Sequence, residues 1–308
     1  MAGRSKILMV KKLTVLYLSA LVVCALCVSG CNIDFLGFAV ANDLDERLLD
    51  KNNFVFLSAD KVDKQGNKRT DVPNNRTNRG SELFLDTPSE YKFIVLTDTH
   101  IEGDKAYGFE KMNSVIEAEE AKFVVVTGDI TQNGAAIDIE RFSEIADSFN
   151  VPCYPVIGNH DVYFSSWPVW KTMIGSTNYR IDNKDSEHTT TLLFLDSANS
   201  FFGKKQLDWL EEQLKKDVGE NVFVFTHAPL FIKGPVKMQQ ITDHKERSRI
   251  ISILKGKCDI MFMGHSHQRV ENTVGNVNYV TAEDFINNQV YVVVTVKSSG
   301  ITYKFGNL

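Results

Sequence analysis

A series of short apolar runs constrains this chain more than any other feature. They fall at residues 93–97 (FIVLT), 123–127 (FVVVT), 156–157 (VI), 192–195 (LLFL), 222–225 (VFVF) and 260–263 (IMFM). Uninterrupted runs of this length suit strands covered on both faces. The stretches between them carry helical spacing: Phe109, Met112 and Ile116, then Phe142, Ile145 and Phe149, then Leu207, Leu210 and Leu214. Asp243, three residues before Glu246, predicts the capped start of a further helix. After Val270 the pattern turns strand-rich, with apolar alternation at 277–280, 289–296 and 301–305 and a hairpin turn at 297–300 (KSSG). An α/β layered fold with antiparallel strands added at its carboxyl end is expected.

The polar residues that close these runs carry the chemistry. The first run ends in Asp98-Thr99-His100, the second in Gly128-Asp129, and the third in Gly158-Asn159-His160-Asp161. The fifth ends in Thr226-His227 and the sixth in Gly264-His265-Ser266-His267. In open α/β sheets ligands bind outside the carboxyl ends of the strands. Five of the seven histidines fall at such ends, beside two aspartates and an asparagine. If the strands continue, residues two apart share a face, so Asp98 and His100 would reach one ion together, as would His265 and His267. The glycines before Asp129, Asn159 and His265 remove a side chain where backbone and metal must approach closely. Imidazole and carboxylate donors without thiolate suit Mn, Fe or Zn.

Two such ions, roughly 3.5–4 Å apart, are an arrangement used for phosphoester hydrolysis, clamping phosphoryl oxygens and acidifying a bridging water. With two aspartates against two divalent ions the site would keep a positive charge for an anionic substrate. The chain as a whole is acidic, with 34 Lys and Arg against 39 Asp and Glu, a net charge of -5. That balance, without a long basic run, lacks the footprint of a nucleic-acid binder.

The series Asp98-x-His100, Gly128-Asp129, Gly158-Asn159-His160-Asp161, His227 and Gly264-His265-x-His267 resembles the calcineurin-like metallophosphoesterase superfamily. Residues 226–229 (THAP) and 206–210 (QLDWL) share the likeness, which covers about residues 91–270. The resemblance implies a four-layer α/β/β/α sandwich and a dinuclear hydrolase of phosphate esters, diester or monoester, that uses a metal-bridging hydroxide. It implies one metal held by Asp98, His100 and His267, a second held by Asn159, His227 and His265, and Asp129 bridging. His160 would stabilise the transition state or protonate the leaving alkoxide, and Asp161 would orient a neighbouring ligand. Purple acid phosphatases carry a tyrosine three residues after the bridging aspartate; here Gln132 stands there, which argues against a tyrosinate-bound ferric site. The full donor set is similar to that of class III cyclic nucleotide phosphodiesterases and their broad-specificity relatives. The partner implied is a small phosphoester. The competing reading is a non-catalytic envelope-binding lipoprotein on the same fold.

The amino terminus reads as an address. Arg4, Lys6, Lys11 and Lys12 precede an uncharged apolar stretch at 13–30 that ends Val28-Ser29-Gly30-Cys31. A basic region followed by an apolar one is the pattern of a secretory signal, and the small residues before Cys31 resemble the lipobox of bacterial lipoproteins. An exported chain with Cys31 lipidated and tethered to the cell-envelope membrane is expected. The organisation expected is a lipoprotein-type signal over 1–30, a segment over 31–90 containing a polar spacer, and the phosphoesterase domain over 91–308. Within 31–90 a short helix is expected at 42–49, strands at 54–57 and 83–85, and a loop across the polar residues 60–82. Cys153 and Cys258 flank strand runs and read as buried thiols. His188 and His244 read as surface residues, and Phe164, Trp167 and Trp170 as either core or a wall over the substrate.

Overall fold

The computed structural model describes residues 76–79, 82–85, 87, 88, 90–106, 108–183, 189–234 and 240–308. The signal segment, Cys31, the expected helix at 42–49, the expected strand at 54–57 and His188 lie outside them.

The chain folds into two sheets. The smaller contains β3 (Tyr91–Leu96), β4 (Ala121–Thr127), β5 (Cys153–Val156), β12 (Val290–Lys297) and β13 (Gly300–Asn307), in the order β13-β12-β3-β4-β5. Strands β3, β4 and β5 run parallel, and β12 and β13 add antiparallel. The larger is ordered β1-β2-β6-β7-β8-β9-β11-β10. Its strands are β1 (Arg76–Arg79), β2 (Glu82–Leu85), β6 (Tyr179–Asn183), β7 (Thr190–Phe194), β8 (Asn221–Phe225), β9 (Ile260–Met263), β10 (Val270–Val274) and β11 (Val277–Thr281). Strands β7, β8, β9 and β11 are parallel. The connecting helices are α1 (Phe109–Glu119), α2 (Ala136–Ser148), α3 (Trp167–Met173), α4 (Gly203–Gln213), α5 (His244–Leu254) and α6 (Phe285–Asn288), with a 3-10 segment at His160–Ser165.

Side-chain alternation builds the layers. Phe223 and Phe225 of β8 belong to the core shared by the two sheets, whereas Val222 and Val224 belong to the core beneath α4 and α5. The inter-sheet seam is aromatic. Phe93 stacks on Phe123 at 4.6 Å and meets Phe223 edge-on at 5.1 Å; Phe225 stacks on Phe194 at 5.0 Å and on Phe262 at 5.7 Å. Offset and edge-on ring pairs of this kind add about 0.5–1.5 kcal/mol each beyond their burial. Helices α1 and α2 lay Met112, Ile116, Ile139 and Phe142 on the smaller sheet, and α4 and α5 lay Leu207, Leu210, Ile250 and Leu254 on the larger. This is the four-layer α/β/β/α sandwich expected from the sequence.

Two local expectations need correction. Residues 76–79, inside the polar stretch read as a loop, form β1, which pairs antiparallel with β2. An edge hairpin needs backbone hydrogen bonds rather than an apolar pattern, so pairing overrides composition there. Asp243 does cap α5, accepting from the Lys245 N–H at 2.8 Å. Glu246, however, does not reach back to it. Its carboxylate accepts from the backbone N–H groups of Phe202 and Gly203 at 2.7 and 2.9 Å, at the start of α4.

Candidate metal centre

The carboxyl ends of β3, β4 and β5 in one sheet meet those of β8 and β9 in the other. The hydrogen-bond ladder continues past the strands and laces the loops together: Asp98 N–H to Gly128 O at 3.0 Å, His100 N–H to Asp129 O at 3.0 Å, and Gly264 N–H to His227 O at 2.9 Å. The residues that follow are not extended. Asp98, His100, Asp129, His265 and His267 all have positive φ, between 41° and 69°. A non-glycine residue held there is strained, by about 1–3 kcal/mol, and five at one edge mark a functional constraint. The pairs Asp98/His100 and His265/His267 therefore converge through left-handed turns, not by the strand alternation expected from sequence.

The glycines stand where the ligand loops approach one another closely. A Cβ on Gly128 would lie 2.5 Å from His227 Nδ1, one on Gly158 would overlap the backbone N of Asp129, and one on Gly264 would overlap Thr97 Oγ1. They clear room for neighbouring ligand loops and their side chains.

Each aspartate anchors one oxygen and presents the other. Asp98 Oδ2 accepts from Thr97 Oγ1 at 2.6 Å and from the His265 N–H at 2.9 Å, and Asp129 Oδ1 accepts from the His160 N–H at 2.9 Å. Asp98 Oδ1 faces His267 Nε2 at 3.2 Å and His100 Nε2 at 3.8 Å. Asp129 Oδ2 faces His227 Nε2 at 3.1 Å, and His100 Nε2 and His265 Nδ1 at 4.0 Å. Three overlapping donor groups result among the described residues, Asp98-His100-His267, Asp129-His227-His265 and His100-Asp129-His160, each with its ligand atoms within 4.8 Å of one another. Asn159 joins the second through its Oδ1, 3.1 Å from His227 Nε2.

The residues fit metal ions. His227 Nε2 lies 3.1 Å from three atoms at once: Asp129 Oδ2, Asn159 Oδ1 and His265 Nδ1. One ring nitrogen carries at most one hydrogen, so it cannot satisfy all three; they converge instead as ligands around a common guest. Asp98 Oδ1 and both His100 ring nitrogens are buried and make no directed hydrogen bond. Orphaned buried polar atoms grouped in this way are what an ion or a water would satisfy.

The electrostatics agree. Burial opposes ionisation of Asp98, but His267 and His227 outweigh it and hold the carboxyl down at about 2. Asp129 is likewise fully buried, yet His227 and His160 hold it well below the usual range. Burial would neutralise His227 and His267, and the aspartates push both up to about 9. In His100 and His265 burial prevails, and both are lowered. Without ions, two histidines supply the countercharge that the carboxylates require.

His160 stands at the rim of the cluster. Its Nδ1 meets the Gln132 carbonyl at 2.6 Å, and its Nε2 faces Asp129 Oδ2 at 3.9 Å. Asp161 does not touch the cluster. Its carboxylate accepts from the N–H groups of Gly158, Ile130 and Thr131 and from Thr131 Oγ1 at 2.8–3.2 Å, tying the loop after β4 to the loop after β5. Burial and the charge of Asp129 push it up to about 6. Trp167 and Trp170 are buried among core residues, so the reading of them as a substrate wall is not supported; the Phe164 side chain lies outside the described ones. His244 is exposed.

Three supporting groups escaped the sequence reading. The Thr127 carbonyl accepts from His227 Nδ1–H at 2.9 Å. Ser197, after β7, accepts from the N–H groups of His227 and Ala228 at 3.2 and 2.8 Å. Asp284, after β11, faces His267 Nδ1 at 3.9 Å. A backbone carbonyl leaves no sequence signal, but Ser197 and Asp284 follow strands parallel to β8 and β9, so the strand-end rule pointed to both.

Fold and donor set together define a two-sheet α/β protein with a His/Asp cluster that could hold metal ions. Residues 91–269, more than half of the chain, match the calcineurin-like phosphoesterase family, and the chain belongs to it. Its sequence is 27% identical over 208 residues to a probable glycerophosphodiester phosphodiesterase of Arcobacter nitrofigilis, covering 59% of this chain and 74% of that one. It is 25% identical over 199 residues to a probable cyclic nucleotide phosphodiesterase of Rhodopseudomonas palustris, covering 58% and 72%. Among solved structures, a dimetal phosphatase from Danio rerio shares the fold with a TM-score of 0.58 at 15% identity, covering 71% of this chain and 96% of that one. The protein is a metal-dependent phosphoric ester hydrolase.

Proposed function

We propose that the protein is a phosphodiesterase that cleaves small phosphodiesters at a two-metal centre. The observation that carries this is the convergence of overlapping His/Asp groups whose atoms include orphaned buried donors and acceptors. The names of the two sequence relatives, one a glycerophosphodiester and the other a cyclic nucleotide phosphodiesterase, favour a diester over a monoester. Asp98, His100 and His267 would hold one ion and Asn159, His227 and His265 the other, with Asp129, central to the contacts, available to both. The donors suit Mn, Fe or Zn. When bound, the ions supply an acidified water and Lewis-acid charge for the phosphoryl oxygens. The chain's residues do the rest. Asp98 and Asp129 each present one oxygen to the cluster, where it would meet an ion, while backbone and hydroxyl donors hold the other. His160 donates Nδ1–H to the Gln132 carbonyl, so Nε2 is the ring nitrogen left facing the centre, and the ring serves the leaving alkoxide as the imidazolium, giving up its Nε2 proton.

Two substrates and one variant test this. The manganese-loaded protein is expected to hydrolyse an aryl phosphodiester faster than the matching aryl phosphomonoester. His160→Ala is expected to lower the diester rate about 10²–10⁴-fold with both ions retained. A preference for the monoester would overturn the diester reading, and an unchanged rate would remove His160 from the reaction.

The proposal extends to location. The apolar stretch at 13–30 and Cys31 support an exported protein held at the bacterial envelope by a lipid on Cys31. Among the described residues no helix is long and apolar enough to cross a membrane. Cys31→Ala is expected to abolish fatty-acid labelling of the chain; retained labelling would contradict the assignment.

A further inference from the structure

We infer that Asp284 is a positioning residue that orients His267 for its metal ion. The inference rests on the two-metal reading above. The three histidines around the centre with a defined second partner follow one rule. His227 donates Nδ1–H to the Thr127 carbonyl, His160 donates Nδ1–H to the Gln132 carbonyl, and each keeps Nε2 for the centre. His267 keeps Nε2 for the centre as well, 3.2 Å from Asp98 Oδ1, but the group facing its Nδ1 is the Asp284 carboxylate, at 3.9 Å. That is an ion-pair distance, longer than an N–H···O bond. A carboxylate on this side favours the tautomer with hydrogen on Nδ1 and so leaves Nε2 as the ligand atom. His267 is the member that needs such help, because its side chain is 39% exposed whereas those of His100 and His227 are 7% and 0%.

Asp284 is placed firmly enough for this role. It is buried, at 1% exposure, and His267 is the basic side chain within 4.0 Å of it among the described residues. It lies beyond residue 269, where the family match ends, but at the same sheet edge, because β11 runs parallel to β9. The segment it opens is fastened to the first ligand loop: the N–H of Phe285 donates to the Thr97 carbonyl at 2.9 Å, and that of Ile286 to the Asp98 carbonyl at 3.2 Å. The carboxyl-terminal strands thus bring a carboxylate behind His267 and brace the Asp98 loop with one turn of helix.

The competing role is capping. Asp284 also accepts from the N–H of Asn287 at 3.0 Å and from the side-chain amides of Asn287 and Asn288 at 2.7 and 2.6 Å. Asparagine caps a helix about as well as aspartate, so Asp284→Asn keeps the cap and removes the charge. The test titrates cobalt(II) into the metal-free full-length chain in detergent, against a competing chelator, for wild type, Asp284→Asn and Asp284→Ala. Wild type is expected to bind two ions. Asp284→Asn is expected to bind one of them 10–100-fold more weakly, with a changed cobalt absorption band for that ion and an unchanged melting temperature without metal. Asp284→Ala is expected to lose as much affinity and to melt lower. Wild-type affinity for both ions in Asp284→Asn would overturn the inference and leave the two-metal reading standing. So would a uniform loss at both sites with lowered melting, which is the signature of the cap alone. Failure of wild type to bind cobalt would overturn the two-metal reading itself.

Discussion

At the residue scale, the centre is built from conformations that most side chains avoid. Five candidate ligands sit at positive φ, and three glycines stand where a Cβ would strike a neighbouring loop. Gly264 is the sharpest case, since its backbone passes against Thr97 Oγ1 and Asp98 Oδ2. In Gly264→Ala the new methyl group is expected to displace the hydroxyl that anchors Asp98. The expected cost is about 1–3 kcal/mol of stability, as for other overpacked sites, together with loss of bound metal. Thermal melting and metal analysis of the purified variant measure both, and full metal content at wild-type stability would contradict the geometry. The residues themselves were legible in the sequence, because donors at the ends of apolar runs stand out. How they converge was not. Extended geometry predicts i, i+2 pairs on one face, and no local signal announces that the loop ladder forces Asp98 and His100 into left-handed turns.

At the element scale, long strands and amphipathic helices were readable, and short or mutually supported pieces were not. The residues whose spacing predicted α1, α2 and α4 are buried, with Phe149 and Leu214 standing one residue past the ends of α2 and α4. The seven residues of α3 and the four of α6 are too short to show a period. Glu246 illustrates a second limit. Three residues after Asp243 it fits a local capping box, yet the fold directs it to the start of α4, where Phe202 has helical φ and ψ and makes no side-chain cap bond. Glu246→Ala is expected to uncap α4 at a cost of about 1–2 kcal/mol, read as a lower urea midpoint, with α5 still capped by Asp243. An unchanged midpoint would show that water replaces both bonds without loss.

At the scale of the whole molecule, the two sheets explain how an acidic protein presents a site for anions. The net charge of -5 belongs to the chain as a whole, while the candidate ligands gather at one edge, where bound cations would dominate the local field. Sequence order concealed this arrangement. Asp98 and His265 are 167 residues apart and join through a hydrogen bond of 2.9 Å. The pairing between sheets depends on the aromatic seam from Phe93 to Phe262, which apolar runs permit but do not specify.

If one cluster both binds metal and hydrolyses phosphoesters, with Asp129 common to its two halves, the two properties stand or fall together. The most direct measurement determines bound manganese per chain and aryl phosphodiester turnover together, in wild type and in Asp129→Ala. Two ions with turnover in wild type, and loss of both properties in the variant, are expected. Turnover that survives Asp129→Ala, or wild-type metal content in the variant, would contradict the claim.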